Sequence, residues 1–466
     1  MSDLAESFSG VRGIYGESLD ETIAKKYAGA FLHWLNENKG VKNPKIVIGR
    51  DTRESGGKLS QTFIDIFTSN GCEVIDVGIS STPATENAVR HFNCDGGVMI
   101  TASHNPPKYN GWKLLRSDGA ILGADDAQIV IELAQVQQID NDVNSKQAQD
   151  KHQKNIQAYT DFALDIIGTQ GIDAIKKSNP TILFDCIGGA IIPFIKPITE
   201  KLGINTVMIN DELGKFNRPI EPTPDTLAYL APLIKKHNAD FAVGFDADAD
   251  RAEFVLPDGT MISGQHALAI AVDEILANSD DPKSQTVVVN DATSDVVHDI
   301  AKKHGAKIQE VEVGEINVVD AMQEKKSVVG GEGSSGGSII SPQTSRDGML
   351  STLTIAQHLT RANKTLEQVI NALPKYYTKN ENVKITPKQG LRTLLENHFN
   401  KHKNELTISK TGDEYGGLKI RFDDNAWLWF RPSRTEPALV RVFAESKDEE
   451  RAQAILKKGV KLLKSL

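Results

Sequence analysis

Cysteine is scarce in this chain of 466 residues: Cys72, Cys94 and Cys186 are the only three, and no two of them stand in a CxxC spacing. That excludes a disulfide framework and a cysteine-built zinc site, and it suits a reducing compartment. Long apolar runs are also missing; none approaches the roughly 18 residues a membrane-spanning helix requires. Nor is there an excess of basic residues. Lys and Arg number 53 against 62 Asp and Glu, the net charge is -9 and the pI near 5.7. Such a balance argues against nucleic acid as a partner, while leaving room for a local basic pocket that takes a small phosphorylated ligand. The start, Met1-Ser2-Asp3-Leu4-Ala5-Glu6, is acidic and polar, unlike a secretory signal. The expectation is a cytoplasmic protein with no membrane or nucleic-acid partner.

What is present reads as globular: 39% hydrophobic and 25% charged residues suffice for several cores. At about 150 residues per domain, the length predicts three or so. Strands and helices alternate along most of the chain. Phe8-Ser9-Gly10-Val11-Arg12-Gly13 carries glycines that permit close backbone approach to a ligand. A helix is predicted from Asp20 to about Asn38, a strand at Lys45 to Gly49 ending in Arg50-Asp51-Thr52-Arg53, and a helix through Phe63 to Ser69. Residues 124 to 157 read as one polar helical passage. Further strands are expected at Thr181 to Asp185, Asn205 to Ile209, Phe241 to Phe245 and Thr286 to Val289. The last hundred residues change character, with strands first and one long helix, Asp448 to Leu463, at the end, an α+β pattern. The three α/β blocks show no convincing self-similarity in their letters.

Four loops carry chemistry. The first is Thr101-Ala102-Ser103-His104-Asn105-Pro106-Pro107-Lys108-Tyr109-Asn110-Gly111-Trp112-Lys113, after the buried strand Gly97 to Ile100. Its Asn-Pro-Pro and Asn-Gly steps predict turns that present the Ser103 hydroxyl beyond a strand end, where α/β sheets bind ligands. The bland alternative is a surface turn. The second is Asp246-Ala247-Asp248-Ala249-Asp250-Arg251. Three carboxylates after a buried strand repel one another unless a cation sits among them, and oxygen ligands at this density suit Mg²⁺. An EF-hand is excluded because Arg251 and Pro257 stand where it needs glycine and glutamate. An aspartyl phosphatase motif is excluded by Asp250. The third is Gly330 to Ser338, glycine-rich with Glu332, Ser334 and Ser335, either a linker or a grip on sugar hydroxyls. The fourth, Arg431-Pro432-Ser433-Arg434-Thr435-Glu436-Pro437, offers guanidinium, hydroxyl and backbone N–H groups to a phosphate.

Taken in order over the whole chain, TASHNPPKYNGWK, DADADR, GEGSSGG and RPSRTEP resemble the motifs of the α-D-phosphohexomutases, the superfamily of phosphomannomutase/phosphoglucomutase and phosphoglucosamine mutase. Val313-Gly314-Glu315-Ile316-Asn317-Val318 resembles its archaeal-type branch. The resemblance implies three similar mixed α/β domains (1–150, 151–256, 257–370) and a C-terminal α+β domain of TATA-binding-like class (371–466) around one central cleft. It implies a phosphorylated Ser103 that donates to a hexose monophosphate and recovers the other phosphate of a hexose 1,6-bisphosphate, which also serves as activator. One Mg²⁺ per site is implied on Ser103, Asp246, Asp248 and Asp250. Lys113 and Arg12 are implied in proton handling and charge stabilisation, His104 in supporting the loop, and Arg251 in contacting the phosphoserine. Glu332 with Ser334 or Ser335 is implied at the sugar, and Arg431, Ser433, Arg434 and Thr435 at the spectator phosphate. Phosphomannomutase activity, with glucose phosphate also accepted, is the first reading, and phosphoglucosamine mutase the alternative. A metal-dependent sugar phosphatase and a non-catalytic sugar-phosphate binder are the competing classes. The chain is expected to be a monomer or homodimer.

Overall fold

Buried parallel strands organise the chain, because a strand covered on both faces demands only apolar residues of suitable size. The computed structural model describes residues 4–137, 147–333, 336–385, 390–400, 406–422, 424–434 and 438–466. It divides into two compact units, Met1–Ile262 with Gly336–Gln368, and Ser263–Ser335 with Val369–Leu466.

In the first unit, Lys45–Arg50 lies between Glu73–Ile79 and Gly96–Ile100, parallel to both, and Tyr109–Arg116 runs antiparallel beside Gly96–Ile100. Gly10–Ile14 pairs antiparallel with Tyr109–Arg116. Trp112 is the centre of the core on one face of this sheet, in ring contact with Tyr27 at 5.2 Å and Phe63 at 5.3 Å. A second sheet repeats the plan. Thr181–Asp185 lies between Asn205–Ile209 and Phe241–Phe245, parallel to both, and Ala252–Val255 runs antiparallel at the edge.

The second unit contains three parallel strands in the same order, Lys307–Val311, Thr286–Asn290 and Val329–Gly331. Three consecutive blocks are therefore one topology repeated, which the letters conceal because apolar side chains of similar volume interchange freely in buried strands. The repeat explains the motifs. Gly96–Ile100, Phe241–Phe245 and Val329–Gly331 are equivalent strands, and the Ser103, Asp246 and Glu332 loops leave their C-terminal ends.

The C-terminal residues form a five-stranded antiparallel sheet in the order Tyr377–Lys384, Leu439–Ser446, Trp427–Pro432, Leu418–Phe422, Leu406–Lys410. Helix Glu449–Ser465, capped by Asp448, buries Ala452, Ile455, Leu456, Gly459, Val460 and Leu463. That three-and-four spacing puts them on one stripe, which covers the sheet.

Several expectations need correction. Asn110-Gly111 is no turn; it runs inside the strand Tyr109–Arg116. A side chain at Gly111 would collide with the Val11 carbonyl of the neighbouring strand, so the glycine serves strand contact. Gly10, at φ +118°, likewise faces the Trp112 carbonyl, which a side chain there would meet. Residues 124–157 are not one helix: Ala124–Val136 ends first, Gln149–Asp150 adds a parallel edge strand beside Glu73–Ile79, and a new helix, His152–Ser178, follows. The C-terminal region is not strands followed by a single helix, since Leu391–Asn400 is helical. The predicted helix to Asn38 ends as α-helix at His33 and continues as a π-helical turn over Trp34–Asn38. No helix among the described residues is long and apolar enough to cross a membrane.

Candidate active site

Ser103 is held by its own backbone. Its φ of +48° lies in the left-handed region that side-chain-bearing residues avoid, at a cost of roughly 1 kcal/mol. The surroundings enforce it. Thr101 Oγ1 accepts the Ser103 N–H at 2.8 Å and donates to Asp51 Oδ2 at 2.7 Å. Arg53 then braces the whole turn. Its Nη2 donates to the carbonyls of Ser103 and Asn105, both at 2.7 Å, and its Nη1 to those of Pro106 at 2.8 Å and Tyr109 at 3.1 Å. Arg53 Nε pairs with Asp51 Oδ2 at 3.0 Å, and both residues are buried. None of the four chemical loops assigns this pair a role; its mark in the sequence is the run Arg50-Asp51-Thr52-Arg53 directly after a buried strand.

The strained turn sends the Ser103 hydroxyl to Asp246 Oδ2, 3.0 Å away. Asp246, Asp248 and Asp250 converge: one oxygen from each lies within 4.8 Å of the others, and all three residues are buried. Ala249, at φ +55°, supplies the bend that gathers them. Lys113 reaches in from the strand Tyr109–Arg116, its Nζ at 2.8 Å from Asp248 Oδ2, 3.0 Å from Asp250 Oδ2 and 3.3 Å from Thr82 Oγ1. Thr82, at the start of helix Thr82–His91, donates to Asp248 Oδ2 at 2.6 Å. The Arg251 N–H donates to Asp246 Oδ1 at 3.3 Å, and its guanidinium Nε stands 4.0 Å from Asp250 Oδ1. Arg346, which no motif flagged, brings Nη2 to 3.4 Å from Asp250 Oδ2. Arg12 Nη1 donates to Asn105 Oδ1 at 3.2 Å, and His104 Nδ1 lies 3.4 Å from Ser103 Oγ. The first unit thus gathers Ser103, His104, Arg12, Lys113, Arg251 and the three aspartates.

The electrostatics follow from burial. Asp246 is held well above the usual carboxylate range by burial and by the charges of Asp248 and Asp250. Burial pushes Asp248 and Asp250 the same way and is the largest single influence on each, but Lys113 with the Thr82 hydroxyl at Asp248, and Lys113 with Arg346 and Arg251 at Asp250, together outweigh it and hold both below that range. His104 is lowered to about 4 by burial and by Arg251 and Arg12, so it is a neutral imidazole at pH 7.

A divalent cation fits these residues. Asp248 Oδ1 and Asp250 Oδ1 are buried and have no hydrogen-bond partner among the described residues, and an orphaned buried carboxylate oxygen is costly unless something positive meets it. Three hard oxygen donors are the chemistry Mg²⁺ prefers.

Behind the triad, Glu253 accepts the Gly336 N–H at 2.9 Å. Burial raises its carboxyl to about 7, against the smaller pull of that N–H and of Arg251. The folded value lies above the unfolded one, so the contribution to stability is full at low pH and is lost as pH rises through about 7. Glu253→Gln, which keeps the acceptor without the charge, should therefore raise the unfolding free energy at pH 8 by on the order of 2 kcal/mol and change little at pH 4.5. Denaturant melts at the two pH values check this; equal effects at both would contradict it.

In the second unit, Glu332 is buried and accepts Asn290 Nδ2 at 3.0 Å and the Gly314 N–H at 2.8 Å. Arg431 donates to Glu312 Oε1 at 3.3 Å from the end of the strand Trp427–Pro432. The Ser433 N–H donates to the Leu439 carbonyl at 2.8 Å. Arg434, expected at the spectator phosphate, is paired with Glu312 and Asp413. Ser334, Ser335 and Thr435 lie outside the described residues.

Comparisons agree along the chain. The phosphoglucomutase/phosphomannomutase α/β/α domain I profile matches residues 6–140, domain II 157–259 and domain III 263–377. A phosphoglucomutase/phosphomannomutase of Thermococcus kodakarensis is 36% identical over 465 residues, covering 97% of each chain. A phosphoglucosamine mutase of Prochlorococcus marinus is 29% identical over 454 residues, covering 96% of this chain and 94% of that one. In fold, a phosphoglucomutase/phosphomannomutase family protein from Burkholderia thailandensis superposes with a TM-score of 0.78 at 20% identity, over 98% of this chain and 97% of its own. With three domain profiles matched in order and a relative 36% identical across nearly its full length, the chain belongs to the phosphoglucomutase/phosphomannomutase family and is a phosphohexomutase, an isomerase.

Proposed function

We propose that this chain interconverts hexose 1-phosphate and hexose 6-phosphate through a phosphoserine at Ser103 and a hexose 1,6-bisphosphate. The observation that carries the reading is the Ser103 hydroxyl 3.0 Å from the first of three converging buried aspartates, with Lys113 bridging the other two. In each half-reaction the P–O bond at Ser103 breaks as a bond to a sugar hydroxyl oxygen forms, or the reverse. The proton leaving the sugar hydroxyl needs a nearby acceptor as that bond forms, and Ser103 Oγ needs a compensating cation as it departs. Lys113 and Arg12 serve those two needs, while neutral His104 supports the loop. Arg251 is the cation for the phosphoserine. Glu332 with Ser334 or Ser335 takes the sugar hydroxyls, and Arg431, Ser433, Arg434 and Thr435 take the spectator phosphate.

Asp246, Asp248, Asp250 and the Ser103 phosphate would hold one Mg²⁺, which offsets charge on the moving phosphoryl group. Removing metal with a chelator should lower the melting midpoint, and returning Mg²⁺ at about 100 times its Kd should restore some 2.7 kcal/mol. Asp248→Asn should abolish that Mg²⁺-dependent shift. A shift that persists in the variant would place the metal elsewhere.

The sugar is the finer question. The alternative named from the sequence, phosphoglucosamine mutase, has the stronger support, because most of the relatives bear that name while the Thermococcus relative is named for glucose and mannose phosphates together. Phosphomannomutase is the second choice. Turnover of glucosamine, mannose and glucose 1-phosphates with and without the matching bisphosphate tests both levels. A mutase is stimulated by the bisphosphate and releases no inorganic phosphate; a phosphatase releases it and gains nothing. Domain limits near residues 150, 256 and 370 and a cytoplasmic location, in keeping with three buried free cysteines, complete the proposal.

A further inference from the structure

The strand Lys307–Val311 is followed by Glu312, whose carboxylate meets both guanidinium groups of the RPSRTEP segment. Glu312 Oε1 accepts from Arg434 Nη2 at 2.8 Å and Nε at 3.2 Å, and from Arg431 Nη2 at 3.3 Å. Asp413 takes the other edge of Arg434, Oδ1 from Nη2 at 2.7 Å and Oδ2 from Nη1 at 3.2 Å. The chain is shaped around the Glu312 carboxylate. Gly412 has φ +60° and abuts Glu312 Oε2, so that a side chain there would collide with it. Arg431 is buried, at 8% exposure, yet its Nε has no hydrogen-bond partner among the described residues. A buried guanidinium with a spare donor has room for one more acceptor.

We propose that Glu312 is an affinity-setting residue: its carboxylate stands in for the substrate's phosphate on Arg431 and Arg434 and must yield them when phosphate arrives. This rests on the reading of Arg431 and Arg434 as phosphate ligands. Charge makes the two anions exclusive. The two guanidiniums already face two carboxylates, Glu312 and Asp413, and Arg392 also acts on Asp413, so most of the positive charge on Arg431 and Arg434 is already answered. A phosphate dianion added with Glu312 in place would set like charges side by side on the same donors, a repulsion least screened at Arg431 and Glu312, whose side chains are largely buried. The affinity for phosphate is then the difference between two charge-assisted pairings rather than the whole of one. A resident carboxylate also keeps the two long side chains ordered between turnovers. The weakened grip suits an intermediate that must let go and turn around.

The test is calorimetric binding of inorganic phosphate and of glucose 6-phosphate to the full chain and to Glu312→Gln, Glu312→Ala and Arg431→Met, with a thermal melt of each. Both Glu312 variants should bind about tenfold more tightly, the equivalent of one lost competing pair, and KM should fall with Kd. Arg431→Met should bind at least about tenfold more weakly. If Arg431→Met weakens binding while neither folded Glu312 variant tightens it, Glu312 is only structural and the proposal is overturned, with the phosphate reading intact. If Arg431→Met binds as the parent does, the phosphate reading fails and the proposal falls with it.

Discussion

Replacing Ser103 with alanine should remove isomerisation, lowering kcat by at least about 10⁴-fold, the scale on which loss of a nucleophile is felt in enzymes that work through a covalent intermediate. Hexose phosphate binding should stay within about threefold, because uniform binding contributes to KM rather than to the barrier. The geometry gives the reason. Ser103 Oγ is the hydroxyl that contacts Asp246, and its neighbour His104, at 3.4 Å, is lowered to about 4 and stands neutral beside it. No compensating hydroxyl replaces it on the turn, since Thr101 is committed to Asp51 and to the Ser103 N–H. Ser103→Ala also relieves nothing, as alanine at φ +48° carries the same backbone strain. Product analysis and a binding isotherm on the same preparation separate the two effects; residual turnover near that of the parent would refute the phosphoserine route.

Arg53→Met is the second large effect, and it acts at a distance from the chemistry. The guanidinium touches no reacting atom; it is a positioning residue that holds four carbonyls of the Ser103 turn and the buried Asp51 carboxylate. Methionine fills the volume but leaves Asp51 buried without its partner, a loss of about 3–5 kcal/mol. The turn it braced should relax by about 1 Å, and misplacement on that scale costs about 100-fold in rate. In protein still folded at 25 °C, kcat should therefore fall by roughly that factor while KM changes little. Arg53→Lys should rescue stability in part but not rate, because an ammonium cannot reproduce the planar fork. A folded Arg53→Met enzyme with unchanged kcat would show that the turn keeps its shape unaided.

How far the letters reach is clear from particular residues. The Ser103 and Asp246 loops were legible because dense chemistry directly after an apolar strand is rare and because strand ends in α/β sheets carry ligands. Asp246, Asp248 and Asp250 demanded a cation on charge alone, and their burial sharpens that demand. Asn110-Gly111 misled because turn propensity is local, whereas the glycine is required by a strand from elsewhere whose Val11 carbonyl leaves no space for a side chain. Arg53 and Arg346 escaped for a related reason. Their partners in the site, Ser103 and Asp250, lie 50 and 96 residues away: the charge run after the strand Lys45–Arg50 marks Arg53 without naming the turn it braces, and nothing local marks Arg346. Among the described residues of 124–157, Ala124–Val136 and the start of His152–Ser178 are helical as expected, but the pairing of Gln149–Asp150 with Glu73–Ile79 is again a long-range event. The threefold repeat was hidden because buried strands conserve volume and apolarity rather than identity.

The most direct measurement is phosphate mapping. Purified protein incubated with Mg²⁺ and a hexose 1,6-bisphosphate is digested, and the modified peptide is located by mass. The account predicts one phosphoryl group on Ser103, lost again when hexose monophosphate is added. Turnover by an enzyme that never carries phosphate on Ser103 would contradict it.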